Sequence, residues 1–477
     1  MKSSKETLPT YRRKFFALIA TAMASFGVTS TFSQAALKDR SKKGGETDGN
    51  VRQFGAKGDG KADDSAAVQA AINAASGSVY FPKGIYRITK TIEVDLDKVG
   101  YTSIRSEGAA QIVMAGAGPV FKFVGTHFKS ADPQNYSENV WTRQRMPMID
   151  NMAIVGDHAR AVGIEAVGTM QLTITRLHVR KALHGIHLTG NNRNVTISDC
   201  HLYENSGIGI YYDDVNLHQS NITGCHISYN TGGGIVSRGG NVRNIHITGC
   251  DIESNMGGDT PPTANVLIDC STSAWGTAEV AITGCTIQHN SHSPESANIR
   301  IFGGSMFGTP PEKKRWGNVT ITGNIISDVM INLHLKDCRG VAISGNTFWK
   351  GFQHNVLLEG CSNIVSGANV FDSNTNYQGN MIAKNSLRIS NCEDCTISGL
   401  HISNVKDTVA LLIEDSRRMN ISNCSIVDCD NLGLFLKGVT NSIVTGCLIK
   451  NGDKGSGFTP IKIEDANDNL IGNNLIS

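Results

Sequence analysis

A ten-residue phrase recurs along this chain at intervals that dictate its architecture. TISDCHLYEN (196–205), NITGCHISYN (221–230) and HITGCDIESN (246–255) stand 25 residues apart. Variants follow as AITGCTIQHN (281–290), TITGNIISD (320–328), AISGNTFWK (342–350), NISNCSIVDC (420–429) and IVTGCLIKN (443–451). Some ten residues after each comes a second alternation, such as HGIHLTG (184–190), GIGIYYDD (207–214), GGIVSRGG (233–240), NVLIDC (265–270) and NIRIFG (298–303). Period-two alternation over so few residues means strands. A leucine-rich repeat has a similar period, but the leucine spacing is missing and no helical segment lies between the strands. The pattern predicts an all-β fold, a parallel β-helix in which each repeat is one coil stacked on the last at ~4.8 Å.

In such a stack the fixed letters are scaffold. Ile197, Ile222, Ile247 and Ile282 point inward. Asn205, Asn230, Asn255 and Asn290 are expected to close one turn in successive coils and to bond along the stack. The twelve cysteines sort into columns, Cys200, Cys225, Cys250, Cys285, Cys424 and Cys447 in one and Cys270, Cys338, Cys361 and Cys392 in another. In-register side chains run parallel and do not turn toward each other, so buried free thiols are expected. Cys392 with Cys395 and Cys424 with Cys429 are the exceptions to watch, as redox or metal pairs. No CxxC…CxxC pattern supports zinc.

Residues 1–35 read as a cleaved signal, with a basic start, an apolar run from Phe15 to Val28 and Ser33-Gln34-Ala35 before the cut. Arg12-Arg13-Lys14-Phe15-Phe16 is similar to a twin-arginine export signal; a plain secretory signal is the rival. Residues 36–49 form a solvated linker, and the mature chain is expected outside the bacterial cytoplasm, periplasmic or extracellular, without a membrane anchor. Lys+Arg (44) and Asp+Glu (42) nearly balance, so no basic field points to nucleic acid.

The entry segment, residues 50–92, holds FGAKGDG (54–60), Asp63-Asp64, an amphipathic stretch and Phe81-Pro82-Lys83-Gly84-x-Tyr86. It resembles the pectate lyase superfamily, in its rhamnogalacturonase and epimerase-like group. The resemblance implies a right-handed parallel β-helix over 50–477 and action on polysaccharides. By its residues alone the segment is a cap: Asp63 and Asp64 sit where an N-cap is needed, and Val68, Ala71, Ile72 and Ala75 line one helical face. No matching helix is visible at the other end, so a homo-oligomer through an uncapped C-terminal coil is open. The polygalacturonase signatures, Asn-Thr-Asp, paired aspartates and Gly-His-Gly, are not found in that form, nor are the substrate motifs of calcium pectate lyases.

The varying letters are where function is sought. Outward columns run His187, Tyr211, Val236, Leu267, Arg300, His334 and, beside them, Thr189, Asp213, Arg238, Asp269, Phe302, Lys336. On the next face His178, His201, His226 and Asp251 stack, flanked by Glu253. Asp213 and Asp269, two rungs apart with Arg238 between them, would stand ~9.6 Å from each other, near the upper limit for an inverting glycosidase. The bland alternative is a salt-bridge ladder that avoids stacking like charges. Asp251 and Glu253 are a second carboxylate pair. The histidine stack could hold a metal or supply a base, but parallel side chains rarely converge on one ion, so no metal is assigned.

Trp141, Trp275 and Trp316 fall in insertions between coils and could be platforms for sugar rings or pins for their loops. The expectation is a secreted enzyme cleaving a polysaccharide, the candidates for its catalytic groups being Asp213, Arg238, Glu253, Asp269, Asp251 and His226, with His187, Tyr211, Arg300 and the three tryptophans binding substrate. A lyase would use a cation (Arg238, Arg300 or calcium) against a uronate carboxylate and a base such as His187, His226 or Tyr211. A hydrolase would use two carboxylates and no obligatory cofactor. A non-catalytic binding or envelope protein is the alternative.

Overall fold

The computed structural model describes residues 49–476 except 107, 109, 133, 259–262, 291–292, 375, 377–381 and 453–456. The expected signal, its twin-arginine-like stretch and nearly all of the expected linker lie outside the described residues.

The repeat folds as its alternation requires. Forty-two strands form one sheet, each pairing in parallel with the equivalent strand of the next coil, in a right-handed parallel β-helix. Within a coil the chain runs along a first face (His184–Thr189 in register with Ile210–Asp213), a second (Thr196–Ser198 with Asn221–Thr223) and a third (His201–Tyr203 with His226–Ser228). The isoleucines at 197, 222, 247 and 282 are buried in a continuous core. Corners are made by left-handed residues. Gly224, Gly249 and Gly284 have φ of 61°, 59° and 63°, which explains the G of ITGC: it turns the chain from second to third face at a backbone setting most side chains resist.

The next letter points inward and is Cys200, Cys225, Cys250 or Cys285. Asn324 then takes over, its Oδ1 accepting from the Cys285 N–H, and Asn346 and Asn369 continue the column. All twelve thiols are free and buried. The two suspected reactive pairs are part of this packing. Burial pushes the thiols of Cys395 and Cys429 up to about 11, which suppresses the reactive thiolate.

The amide ladder departs from expectation at one rung. Asn205 Nδ2 donates to Asn230 Oδ1 and Asn230 Nδ2 to Asn255 Oδ1, both at 2.7 Å. Asn255 then passes the chain to Asn265 at 2.9 Å, and Asn298, Asn332 and Asn355 follow. The loop after Asn255 returns the chain to the same corner, so the ladder continues there; the side chain of Asn290 lies outside the described residues. Asn230 is wholly buried and also donates to the Leu202 carbonyl. Replacing it with Ala strands partners on both neighbouring rungs, at roughly 1–3 kcal/mol for each buried group left unsatisfied. Asn230→Ala should therefore lower the urea midpoint of far-UV unfolding sharply, while exposed Asn221→Ala leaves it within error.

At the N-terminal end a helix, Ser65–Ala74, buries Val68, Ala71 and Ile72 against the first coil. Its capping differs from expectation. Asp64 makes no side-chain bond to the helix and accepts from the N–H groups of Lys57 and Gly58, bracing the entry loop; Asp63 receives the Ser65 N–H.

Candidate functional site

The first face carries a run of charges that alternate in sign. Lys122, Glu165, His187 and Tyr211 occupy one column on successive coils, and Asp213, Arg238 and Asp269 the column beside it. Lys122 Nζ lies 2.9 Å from Glu165 Oε1. Glu165 Oε2 lies 3.7 Å from His187 Nδ1, and His187 Nε2 lies 2.9 Å from Asp213 Oδ2. His187, then Lys122, hold the Glu165 carboxyl down to about 2 against the opposing effect of burial. For His187 burial is the largest single influence and pulls the imidazole pKa down, but the carboxylates on both sides outweigh it and the net displacement is upward. The ring is thus stabilised as an imidazolium.

Tyr211 stacks on His187 with centroids 5.4 Å apart and planes 10° from parallel. Its phenol is pushed up by burial first and then by the Asp213 carboxylate, with the Arg238 guanidinium pulling the other way. The hydroxyl is therefore set between an acceptor and a cation. Arg238 itself is exposed and, among the described residues, makes no ion pair with Asp213 or Asp269, although they flank it in register. The salt-bridge ladder considered from sequence does not form at this cation. Asp269 turns an oxygen to the Ser271 N–H. His184 completes the group, 5.3 Å from Tyr211 between centroids. Its Nδ1 accepts the Ile208 N–H, which fixes the proton on Nε2, and burial lowers its pKa to about 4. This imidazole is a neutral donor.

Several expected contributors lie elsewhere. Arg300 is buried, not outward: its guanidinium donates to the carbonyls of Thr263 and Glu295 and its Nε to His334, so it holds loops together. Val236 and Leu267, expected in the open column, are covered as well, packing with Ile208, Ala264, Ala297 and Ile331 in a second apolar cluster against which Tyr211 rests. Trp316 is a pin. Its ring lies on Gly276, where a Cβ would come within 2.3 Å of it, its Nε1 donates to Ser305 and Arg243 stacks on it. Trp275 is exposed at the corner between first and second faces, beside Asn216 and Phe307. Trp141 is exposed near the second face, with the Arg145 guanidinium 5.3 Å from its ring.

The third face holds the remaining candidates. His226 Nδ1 lies 3.2 Å from Asp251 Oδ2, and Glu253 pairs with His289 at 3.4 Å. These are exposed couples on a different side of the coil from His187. Among the described residues no three His, Cys, Asp or Glu side chains are grouped so as to hold a metal ion. Sequence reading missed Lys122 and Glu165, although Gly163-Ile164-Glu165 repeats the pattern of Gly185-Ile186-His187 and Gly209-Ile210-Tyr211 one coil earlier. Beyond Ile364 the surface carries ion pairs of its own, with Glu393 and Asp394 paired to Arg417 and Arg418, and Glu414 paired to Arg388 and Lys437.

Comparison with known proteins places these features in context. A family model described as rhamnogalacturonase A/epimerase, pectate lyase-like, matches residues 49–296, and one described as periplasmic copper-binding protein (NosD) matches residues 273–477. Alginate lyase 7 of Azotobacter vinelandii is 59% identical over 44 residues, 8% of this chain and 5% of that protein. Mannuronan C5-epimerase AlgE3 of the same organism is 56% identical over 46 residues, 9% of this chain and 2% of that protein. The chain thus spans a small fraction of the curated relatives it matches. Among solved structures, the A-module of the A. vinelandii mannuronan C-5 epimerase AlgE4 aligns over 90% of this chain and 97% of its own, with 15% identity and a TM-score of 0.42. The Streptococcus pneumoniae adhesin PfbA aligns over 90% and 99%, with 15% identity and a TM-score of 0.46.

Proposed function

We propose, for a chain that belongs to the rhamnogalacturonase A/epimerase, pectate lyase-like family, that it is a polysaccharide lyase acting on a uronate polymer at the first face. The observation that carries this reading is Arg238, an exposed guanidinium beside the Tyr211 hydroxyl that has no carboxylate partner among the described residues. A uronate carboxylate supplies the partner. Neutralising it acidifies the C5 proton, which Tyr211 Oη accepts as its own proton passes to Asp213. The electron pair left at C5 moves into the carboxylate held by Arg238. It then returns to form the C4–C5 double bond as the bond from C4 to the glycosidic oxygen breaks. Tyr211 protonates the leaving oxygen and recovers its proton from Asp213. His187 acts through Asp213, which it holds at 2.9 Å, and through its stack on Tyr211; it is a positioning residue.

A hydrolase reading is less well supported. A glycosidase acid needs a carboxyl kept protonated, whereas Glu165 is held down to about 2. The matched relatives are named as an alginate lyase and mannuronan C5-epimerases, names that support a uronate polymer as the substrate class. We read residues 1–35 as the signal that takes the enzyme to such a polymer outside the cytoplasm, and residues 50–477 as one catalytic β-helix.

The test is incubation with alginate, polygalacturonate and glucuronan, following ultraviolet absorbance of unsaturated ends together with new reducing ends. Both signals should rise with at least one polymer. Reducing ends without absorbance would mean a hydrolase, exchange of C5 hydrogen with solvent without cleavage an epimerase, and no change a binding protein; each overturns the lyase. The rate should also fall on the alkaline side with a midpoint above the ordinary imidazole pKa, because His187 is raised and loses its charge only as pH climbs through that value. His187→Gln should remove that limb.

A further inference from the structure

The second face carries a groove whose chemistry is the opposite of the first. It has a volume of about 600 Å³ and runs along successive coils from Met146 to His246. One wall is a row of amides, Gln171, Asn194, Gln219 and Asn244, at left-handed corner positions with φ of 59°, 55°, 69° and 59°. That setting recurs in every coil and aims equivalent side chains along the same edge. The floor is the outward column of the second face, Thr173, Thr196, Asn221 and His246, in direct register. The nine lining residues include no acid, lysine or arginine.

An amide offers two donors and an acceptor side by side, the complement of a pair of neighbouring sugar hydroxyls. Coils at ~4.8 Å repeat that offer along the groove. At the end of the groove marked by Met146, the preceding residue, Arg145, stands over two exposed aromatic rings, Trp141 at 5.3 Å and Tyr101 at 5.7 Å. An exposed Trp beside a polar groove is a platform for the apolar face of a pyranose. The groove is separate from the His187 cluster, since first and second faces meet at a corner of the coil.

We propose that this groove is a second carbohydrate site, taking an uncharged, hydroxyl-rich glycan of several pyranose units and anchoring the protein to it. The inference stands apart from the lyase reading, because binding is measured whether or not any polymer is cleaved.

The full mature chain is titrated calorimetrically with cello-, malto-, laminari- and manno-pentaose, and with an oligouronate as the charged comparison. At least one neutral pentasaccharide should bind. Gln219→Gly, which keeps the left-handed corner, and Asn221→Ala, an exposed floor residue, should each weaken it by about ten-fold, the loss of one or two hydrogen bonds. Trp141→Ala should weaken it as well. All three variants should retain the unfolding midpoint, and any turnover of uronate polymer should be unchanged. Failure of every neutral sugar to bind would overturn the proposal. So would binding that the three substitutions leave intact, or displacement of the neutral sugar by the oligouronate.

Discussion

Tyr211→Phe should reduce kcat on the uronate polymer by ~10²–10⁴-fold, the span typical of a lost general acid–base group, and leave KM near its original value. The substitution removes one oxygen and little else. The ring rests against the apolar cluster that contains Val236 and Leu267 and stacks on His187, and phenylalanine keeps both contacts. Stability should therefore hold while turnover collapses, and measuring the unfolding midpoint beside kcat separates the two. A loss under ten-fold would remove Tyr211 from the proton path and shift attention to Asp213. His184 is a poor substitute base, because its Nδ1 is taken by the Ile208 N–H.

Arg238→Ala is the second large effect, expected at ~10²–10³-fold in kcat/KM, comparable to removal of one charge-stabilising donor from an active site. The side chain is exposed and, among the described residues, has no carboxylate partner, so no buried carboxylate is left stranded and the fold should be unaffected. Arg238→Lys should recover only part of the rate, since an ammonium lacks the planar fork that meets a carboxylate with two bonds. The alanine variant also removes the one influence that lowers the Tyr211 phenol, so its residual activity should need a higher pH than that of the lysine variant. If Arg238→Ala changes KM alone, the guanidinium binds the polymer without stabilising the transition state. The proton transfer would then need another cation.

The register of the coils was legible in the chain because in-register stacking makes equivalence a matter of counting. His187 with Tyr211, Asp213 with Arg238 and Asp269, and His226 with Asp251 pair as the repeat spacing says they must. What counting could not show is which outward residues remain outward. Arg300 and Leu267 follow the same alternation as Tyr211, yet loops between coils fold over them, and those loops have no period from which to be read. Trp316 was ambiguous for the same reason: only the flat surface of Gly276 decides that it pins its loop. Glu165 was missed because its coil diverges on the other faces, where no ITGC phrase marks it. The choice between a paired ladder and a free guanidinium at Arg238 depends on side-chain rotamers, which a register cannot specify.

The buried sulfur column also imposes an order of events on biosynthesis. In the extended chain, cysteines 200, 225 and 250 are spaced by loops of equal length, and short flexible loops close at small entropic cost. An oxidant that reaches the chain before its coils close meets thiols able to pair in many combinations, and a covalent link that drew two of them together would work against the parallel arrangement the stack requires. An oxidant that arrives afterwards finds twelve sulfurs enclosed in the core. Coil closure thus acts as a timing device: the chain is vulnerable to cross-linking for as long as it takes to wind, and the winding itself ends the exposure.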